Sequence, residues 1–76
     1  MTEKKIKITT IDDVKQFVNT VMLYGYDIDV VSGRYTVDAK SLMGLFSLDL
    51  SAELGLRIHS DDCTDLVTKL QKFIVE

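Results

Sequence analysis

The sequence predicts an α+β domain built as an open-faced two-layer sandwich. A four-stranded antiparallel sheet carries three helices on one face, in the order β-α-β-β-α-β-α. Three observations predict it. Short segments alternate apolar and polar residues, so each has one greasy and one wet face, the mark of an antiparallel sheet covered on one side. Between them lie stretches whose apolar residues recur at helical spacing. The chain has 76 residues, enough for one domain of two layers and too few for a second domain.

The elements follow in order. Lys5-Ile6-Lys7-Ile8-Thr9 alternates and is predicted as the first strand. Thr10 stands where a helix would be capped, and Asp12 and Asp13 suit the positive end that follows. Val14, Phe17, Val18 and Val21 form one stripe, and Gly25 suits a left-handed residue just past a helix end, so the first helix is predicted over 11–24. Asp27-Ile28-Asp29-Val30 and Tyr35-Thr36-Val37-Asp38 alternate on either side of Ser32-Gly33, which reads as a hairpin. Ser41 opens the short apolar segment Leu42-Met43-Gly44-Leu45-Phe46, expected to make one or two helical turns on the surface. Leu54, Leu56 and Ile58 alternate with Gly55, Arg57 and His59 as the fourth strand. Ser60, Asp61 and Asp62 are expected to cap a last helix striped by Cys63, Leu66, Val67, Leu70, Phe73 and Ile74. The wet sheet face is expected to carry Lys5, Lys7, Asp27, Asp29, Thr36, Arg57 and His59.

Composition narrows the function. At 46% apolar and 28% charged residues the chain is an ordinary globular mixture. Nine basic against twelve acidic residues give a net charge of −3 with no basic cluster, which argues against a nucleic-acid partner. No run approaches the roughly 18 apolar residues of a membrane span, and no apolar signal core follows the basic Lys4, Lys5 and Lys7. One cysteine excludes an internal disulfide framework and points to a reducing, cytoplasmic setting. One histidine means that any imidazole chemistry must be built on His59 alone. His59, Asp61, Asp62 and Cys63 are close in sequence, but no second ligand pair exists elsewhere, so no metal and no other cofactor is expected.

The segment Val37-Asp38-Ala39-Lys40-Ser41-Leu42-Met43-Gly44-Leu45-Phe46-Ser47-Leu48-Asp49-Leu50 resembles the stretch around the regulatory serine of HPr, the phosphocarrier of the bacterial sugar phosphotransferase system. Gln16-Phe17-Val18 resembles the first HPr helix, and the likeness runs from about residue 14 to about residue 60 without a gap, within a single HPr-like domain over 1–76. The resemblance implies the open-faced fold. It implies that Ser41 corresponds to the serine that a dedicated kinase phosphorylates in many Gram-positive bacteria. It also implies that Leu42 and Met43, with Phe46 beside them, belong to a partner-binding surface.

The departures are as informative. The family carries its phosphoryl group on a histidine in a Gly-x-His-x-Arg-Pro loop at the start of the first helix. Here Thr9-Thr10-Ile11-Asp12-Asp13 occupies that place, and the loop is shorter. A phosphocarrier needs a nucleophilic imidazole and cationic or N–H groups for the phosphoryl oxygens, whereas two carboxylates repel them. The family's glycine in the Leu-Gly-Leu turn is Asp49, which is expected to tolerate the left-handed region.

No catalytic residue and no enzymatic activity are therefore expected. The chain reads as a regulatory or protein-binding relative of HPr, switched at Ser41, with a kinase or a sugar-regulation protein as partner. No nucleic acid or membrane is expected as partner, and the chain is expected to be a monomer or a weak dimer. Two alternatives stay open: a phosphocarrier using His59, Thr10 or Asp12 as acceptor, and an HPr fold reused for an unrelated partner.

Overall fold

The computed structural model describes residues 1–75. Its elements are β1 (Thr2–Ile6), α1 (Ile11–Val21), β2 (Ile28–Ser32), β3 (Tyr35–Asp38), α2 (Leu42–Phe46), β4 (Leu54–Ile58) and α3 (Thr64–Lys69), closed by a 3₁₀ turn over Gln71–Phe73. The four strands form one antiparallel sheet in the order β1-β4-β2-β3. Alternate strand residues (Ile6, Ile28, Val30, Leu54, Leu56, Ile58) join Val14, Phe17, Val21, Leu45, Leu66 and Leu70 from the helices in one core. Phe17 meets Phe73 edge-on at 5.8 Å between ring centroids. Thr2, Lys4 and Val37 share this helix-covered face, and the strand residues between them face away from the helices. Register sets Glu3, Arg57, Asp29 and Asp38 in one row across all four strands.

The strands and helices are those predicted, with shifted ends, and the contacts each end makes account for its shift. β1 runs over Thr2–Ile6 rather than 5–9, because β4 starts at Leu54 and offers partners only from Ile6 back to Thr2. Lys7-Ile8-Thr9 keeps its alternation, with Ile8 fully buried, but Lys7 N–H donates to the Phe73 carbonyl instead, at 2.8 Å. β2 reaches Ser32, so the hairpin turn is Gly33-Arg34 rather than Ser32-Gly33. Gly33 has φ of 60° and is the only described residue with positive φ, which fits a type II′ turn.

α1 stops at Val21, three residues short of the expected end. Its last turn tightens, with Leu23 N–H donating to Thr20 and Tyr24 N–H to Val21, both at 3.2 Å. The Lys40 ammonium then donates to the carbonyls of Tyr24 and Tyr26, at 2.7 and 3.0 Å. The helix-end carbonyls of Val18, Thr20 and Val21 are already taken by the N–H groups of Met22, Leu23 and Tyr24, so Gly25 has no left-handed cap to supply. Ser60, Asp61 and Asp62 do not cap α3. Ser60 Oγ accepts from Asp62 N–H in a local turn, Asp61 pairs with the chain's N-terminal ammonium, and Cys63 occupies the cap position without a side-chain bond to the helix. Asp49 is not left-handed either. It accepts from Ser51 N–H and Ser51 Oγ, which holds the loop from its side chain and lowers its pKa below the usual value.

Candidate functional site

The first place to look is the start of α1. Thr10 caps it as expected, its hydroxyl accepting from Asp13 N–H at 3.0 Å. Thr9 Oγ1 lies 3.4 Å from an Asp13 oxygen, and Gln16 donates to Asp12 at 2.9 Å. The positive end of the helix therefore meets carboxylates of its own chain. Ile11, the first helical residue, is exposed and apolar. The segment Thr9–Asp13 itself carries no basic side chain and no imidazole.

His59 stands elsewhere. It follows Ile58, which pairs with Thr2 and Ile28, whereas α1 starts beyond Ile6 at the opposite end of the sheet. Its Nε2 lies 2.8 Å from Asp29 Oδ2 on the open face, and both side chains are part-exposed. Thr10 and Asp12, the other candidate acceptors, are engaged in capping and in the bond to Gln16. The suggested ligand set is dispersed. His59 turns to Asp29, Asp61 to the N-terminus, and the buried Cys63 thiol donates to Thr2 Oγ1 at 3.3 Å. Among the described residues no group of three or more His, Cys, Asp or Glu converges as a metal site would require.

The serine segment forms a more coherent surface. Ser41 is the N-cap of α2 and is half-buried, and its Oγ accepts from Gly44 N–H at 3.1 Å. Lys40, just before it, anchors the entry to α2 through its two bonds to the connection between α1 and β2. Gly44 lets α2 sit down on β3, since a Cβ there would stand 3.3 Å from Val37 Cβ. Leu45 faces the core and is fully buried, which leaves Leu42, Met43 and Phe46 outward. Met43 is 83% exposed, the most exposed of the large apolar side chains among the described residues.

α1 extends this surface. α3 lies along one flank of α1, through the 2.6 Å bond from Tyr24 Oη to Asp65 and the contact of the Lys72 ammonium with Gln16. α1 packs on α2 as well, and helical phase turns Ile11, Val18 and Met22 to that second flank. Ile11, and Met22 just past the helix end, are exposed rather than joining the core. The sequence carries a sign of this. Ile11, Val18 and Met22 follow a second row at i, i+7 and i+11 beside the main stripe, making the apolar arc wider than one sheet contact needs.

No family model and no curated protein sequence matches the chain. Solved structures do. HPr-C-His from Thermoanaerobacter tengcongensis superposes with a TM-score of 0.80 and 28% identity, over 95% of this chain and 89% of that one. The phosphocarrier protein HPr from Bacillus anthracis str. Ames superposes with a TM-score of 0.73 and 19% identity, over 97% and 96%. The chain is thus HPr-like in fold over nearly its whole length, and its structural neighbours are HPr phosphocarriers.

Proposed function

We propose that this chain is a regulatory, protein-binding relative of the HPr phosphocarriers that acts by docking and not by histidine phosphoryl transfer. The docking surface is Leu42, Met43 and Phe46 on α2. The observation that carries the reading is the pairing of two features on one side of the molecule. An exposed apolar surface persists on α2, while the adjoining start of α1 holds Asp12 and Asp13 and no imidazole. Flexible methionine side chains suit adaptable partner surfaces, and apolar groups left outward by a fold this small mark contact sites. The partner is a protein of sugar regulation, and the setting is the cytoplasm.

Ser41 is the switch of this reading. A phosphate there adds about two negative charges beside Leu42 and Met43, and it sits where helix N–H groups favour an anion. It also removes the hydroxyl hydrogen from a group that already caps Gly44. Docking and capping then act through one atom.

Two incubations test the proposal. With an HPr kinase and ATP, mass spectrometry should find one phosphate, on Ser41, and Ser41→Ala should abolish it. With the phosphotransfer enzyme and labelled phosphoenolpyruvate, no label should be taken up. Label on His59, Thr10 or Asp12 would make the chain a phosphocarrier and overturn the docking reading.

A further inference from the structure

We propose that the outer edge of β3 is a self-association edge, where two copies pair their β3 strands antiparallel about a two-fold axis through Thr36 and join two sheets into one. The strand order leaves β1 and β3 at the edges. The β1 edge is already occupied in part. Lys7 N–H donates to the Phe73 carbonyl and Val75 N–H to the Lys5 carbonyl, so the C-terminal segment covers it, and Lys5 and Lys7 add the charge that discourages further pairing. β3 has none of these protections. It contains no lysine, the chain contains no proline, and among the described backbone bonds only Ser41 N–H, on the Asp38 carbonyl, reaches its outer side, while the Ser47–Asp49 loop lies beside its Tyr35 end.

The hydrogen-bond phase shows what this edge offers. Ser32 pairs with Tyr35 at the turn, Val30 with Val37, and Ala39 N–H donates to the Ile28 carbonyl at 2.9 Å. The odd-numbered residues of β3 therefore bond inward to β2. Thr36 turns its N–H and carbonyl outward, and Asp38 its N–H. The Asp38 carbonyl accepts from Ser41 N–H at 3.0 Å. In the register centred on Thr36, each Thr36 N–H donates to the Thr36 carbonyl of the other copy. Each Asp38 N–H donates to the other Arg34 carbonyl. These bonds use the Thr36 N–H and carbonyl and the Asp38 N–H, and leave the Asp38 carbonyl to Ser41.

The side chains of the same register are complementary to themselves. Thr36 opposes Thr36, Tyr35 opposes Val37, and Arg34 opposes Asp38, the three pair types that favour an antiparallel ladder. Tyr35 is 67% exposed in the single chain and would be covered. Asp38 has a reason to accept a cation. It sits directly opposite Asp29 in the β2–β3 register, a like-charge pair, and only one of its oxygens is engaged, by Lys40 N–H at 2.9 Å. The incoming guanidinium takes the other oxygen. Centring the axis on Val37 instead would oppose Thr36 with Asp38, leave Arg34 without a partner and require the Asp38 carbonyl that Ser41 already holds. The contact is a few residues long, which places it in the weak, transient class of interface below about 1,200 Å².

The test uses the full chain in sedimentation equilibrium and amide NMR from about 10 μM to about 1 mM, the range in which so small a contact dissociates. The weight-average mass should rise with concentration, and the amides of Thr36 and Asp38 should shift and gain exchange protection. Thr36→Pro removes an outward donor that has no partner in the single chain and should return the mass to that of a monomer. A mixing experiment guards against a folding defect. R34D alone opposes carboxylates and D38R alone opposes guanidiniums, so each should be monomeric, while an equal mixture of the two restores both ion pairs and should dimerise. A wild-type mass that stays monomeric throughout, shifts that map to Thr2–Lys5, or a mixture no more associated than its parts would overturn the proposal.

Discussion

Met43→Lys and Leu45→Ala, two residues apart on α2, separate a docking surface from a core. Leu45 is fully buried and Met43 is 83% exposed. Truncating a buried leucine costs about 2–5 kcal/mol, the lost transfer energy plus a cavity. At about 0.05–0.15 kcal/mol per residue this chain holds only about 4–11 kcal/mol in total, so Leu45→Ala should remove a large part of its stability. For a domain of this size each kcal/mol moves the melting temperature by about 4–8 °C, so the shift should exceed about 8 °C. For Met43 the covered share is 17%, the remainder of its exposure. Applied to the roughly 1.5–3 kcal/mol of a fully buried apolar side chain, that share gives about 0.3–0.5 kcal/mol and a shift of about 1–4 °C. Thermal denaturation followed by circular dichroism measures both. Capture of a bound partner by immobilised protein reads docking alone, and there Met43→Lys should lose most binding while its fold persists. Equal losses of melting temperature for the two variants would mean that Met43 is core, and the surface assigned to α2 would fall.

Four further outcomes follow from the same geometry. Ser41→Ala and Thr10→Ala should each cost about 1 kcal/mol, because each hydroxyl caps a helix at the N–H three residues on; urea melts would show the change in midpoint. Tyr24 is pushed up from 10.0 to about 12, chiefly by its bond to the Asp65 carboxylate. Asp65→Asn should bring its absorbance titration back toward that of an ordinary tyrosine. The sign is set by the raised pKa: the bond stabilises the fold below pH 10.0, and its contribution disappears as pH climbs through about 12. Asp49 is shifted the other way from its ordinary value of 3.8, by the two bonds from Ser51, so its contribution is present above that pH and lost on acidification. Asp49→Asn should therefore flatten the acid limb of the stability profile, read as melting temperature against pH.

The fold was legible because burial follows period. Every strand shows alternation, and the stripe Val14, Phe17, Val18 and Val21 is the set that α1 buries. The ends were less legible because they depend on residues far away in sequence. Alternation alone cannot say that β1 pairs from Thr2, since that depends on where β4 begins. Nor can local signals say that α1 ends at Val21. Gly25 looks like a cap, but the last turn of α1 tightens and closes its own carbonyls, and Lys40, fourteen and sixteen residues away, holds the Tyr24 and Tyr26 carbonyls on either side of the glycine. The acidic run Ser60-Asp61-Asp62 misled for a similar reason, because Asp61 has a stronger partner in the N-terminal ammonium.

The site was legible unevenly, and the unevenness follows from chemistry. What the start of α1 lacks could be read residue by residue, because a phosphoryl group needs particular atoms and the sequence either has them or does not. What α2 presents was harder, because apolar residues look the same whether they fill a core or face a partner. Leu42, Met43, Leu45 and Phe46 share one composition, and only the third is fully buried. Gly44 makes the division. Without a side chain it rests against Val37, so α2 lies low on β3 and turns Leu45 inward, and five helical residues cannot hide the other faces. A larger residue at this position would lift α2 by the few tenths of an ångström that the Val37 and Ser41 contacts lack. The same glycine N–H is the one that Ser41 caps. The seating of the apolar surface and the serine beside it thus depend on one residue, and a change at Gly44 should disturb docking and phosphorylation together.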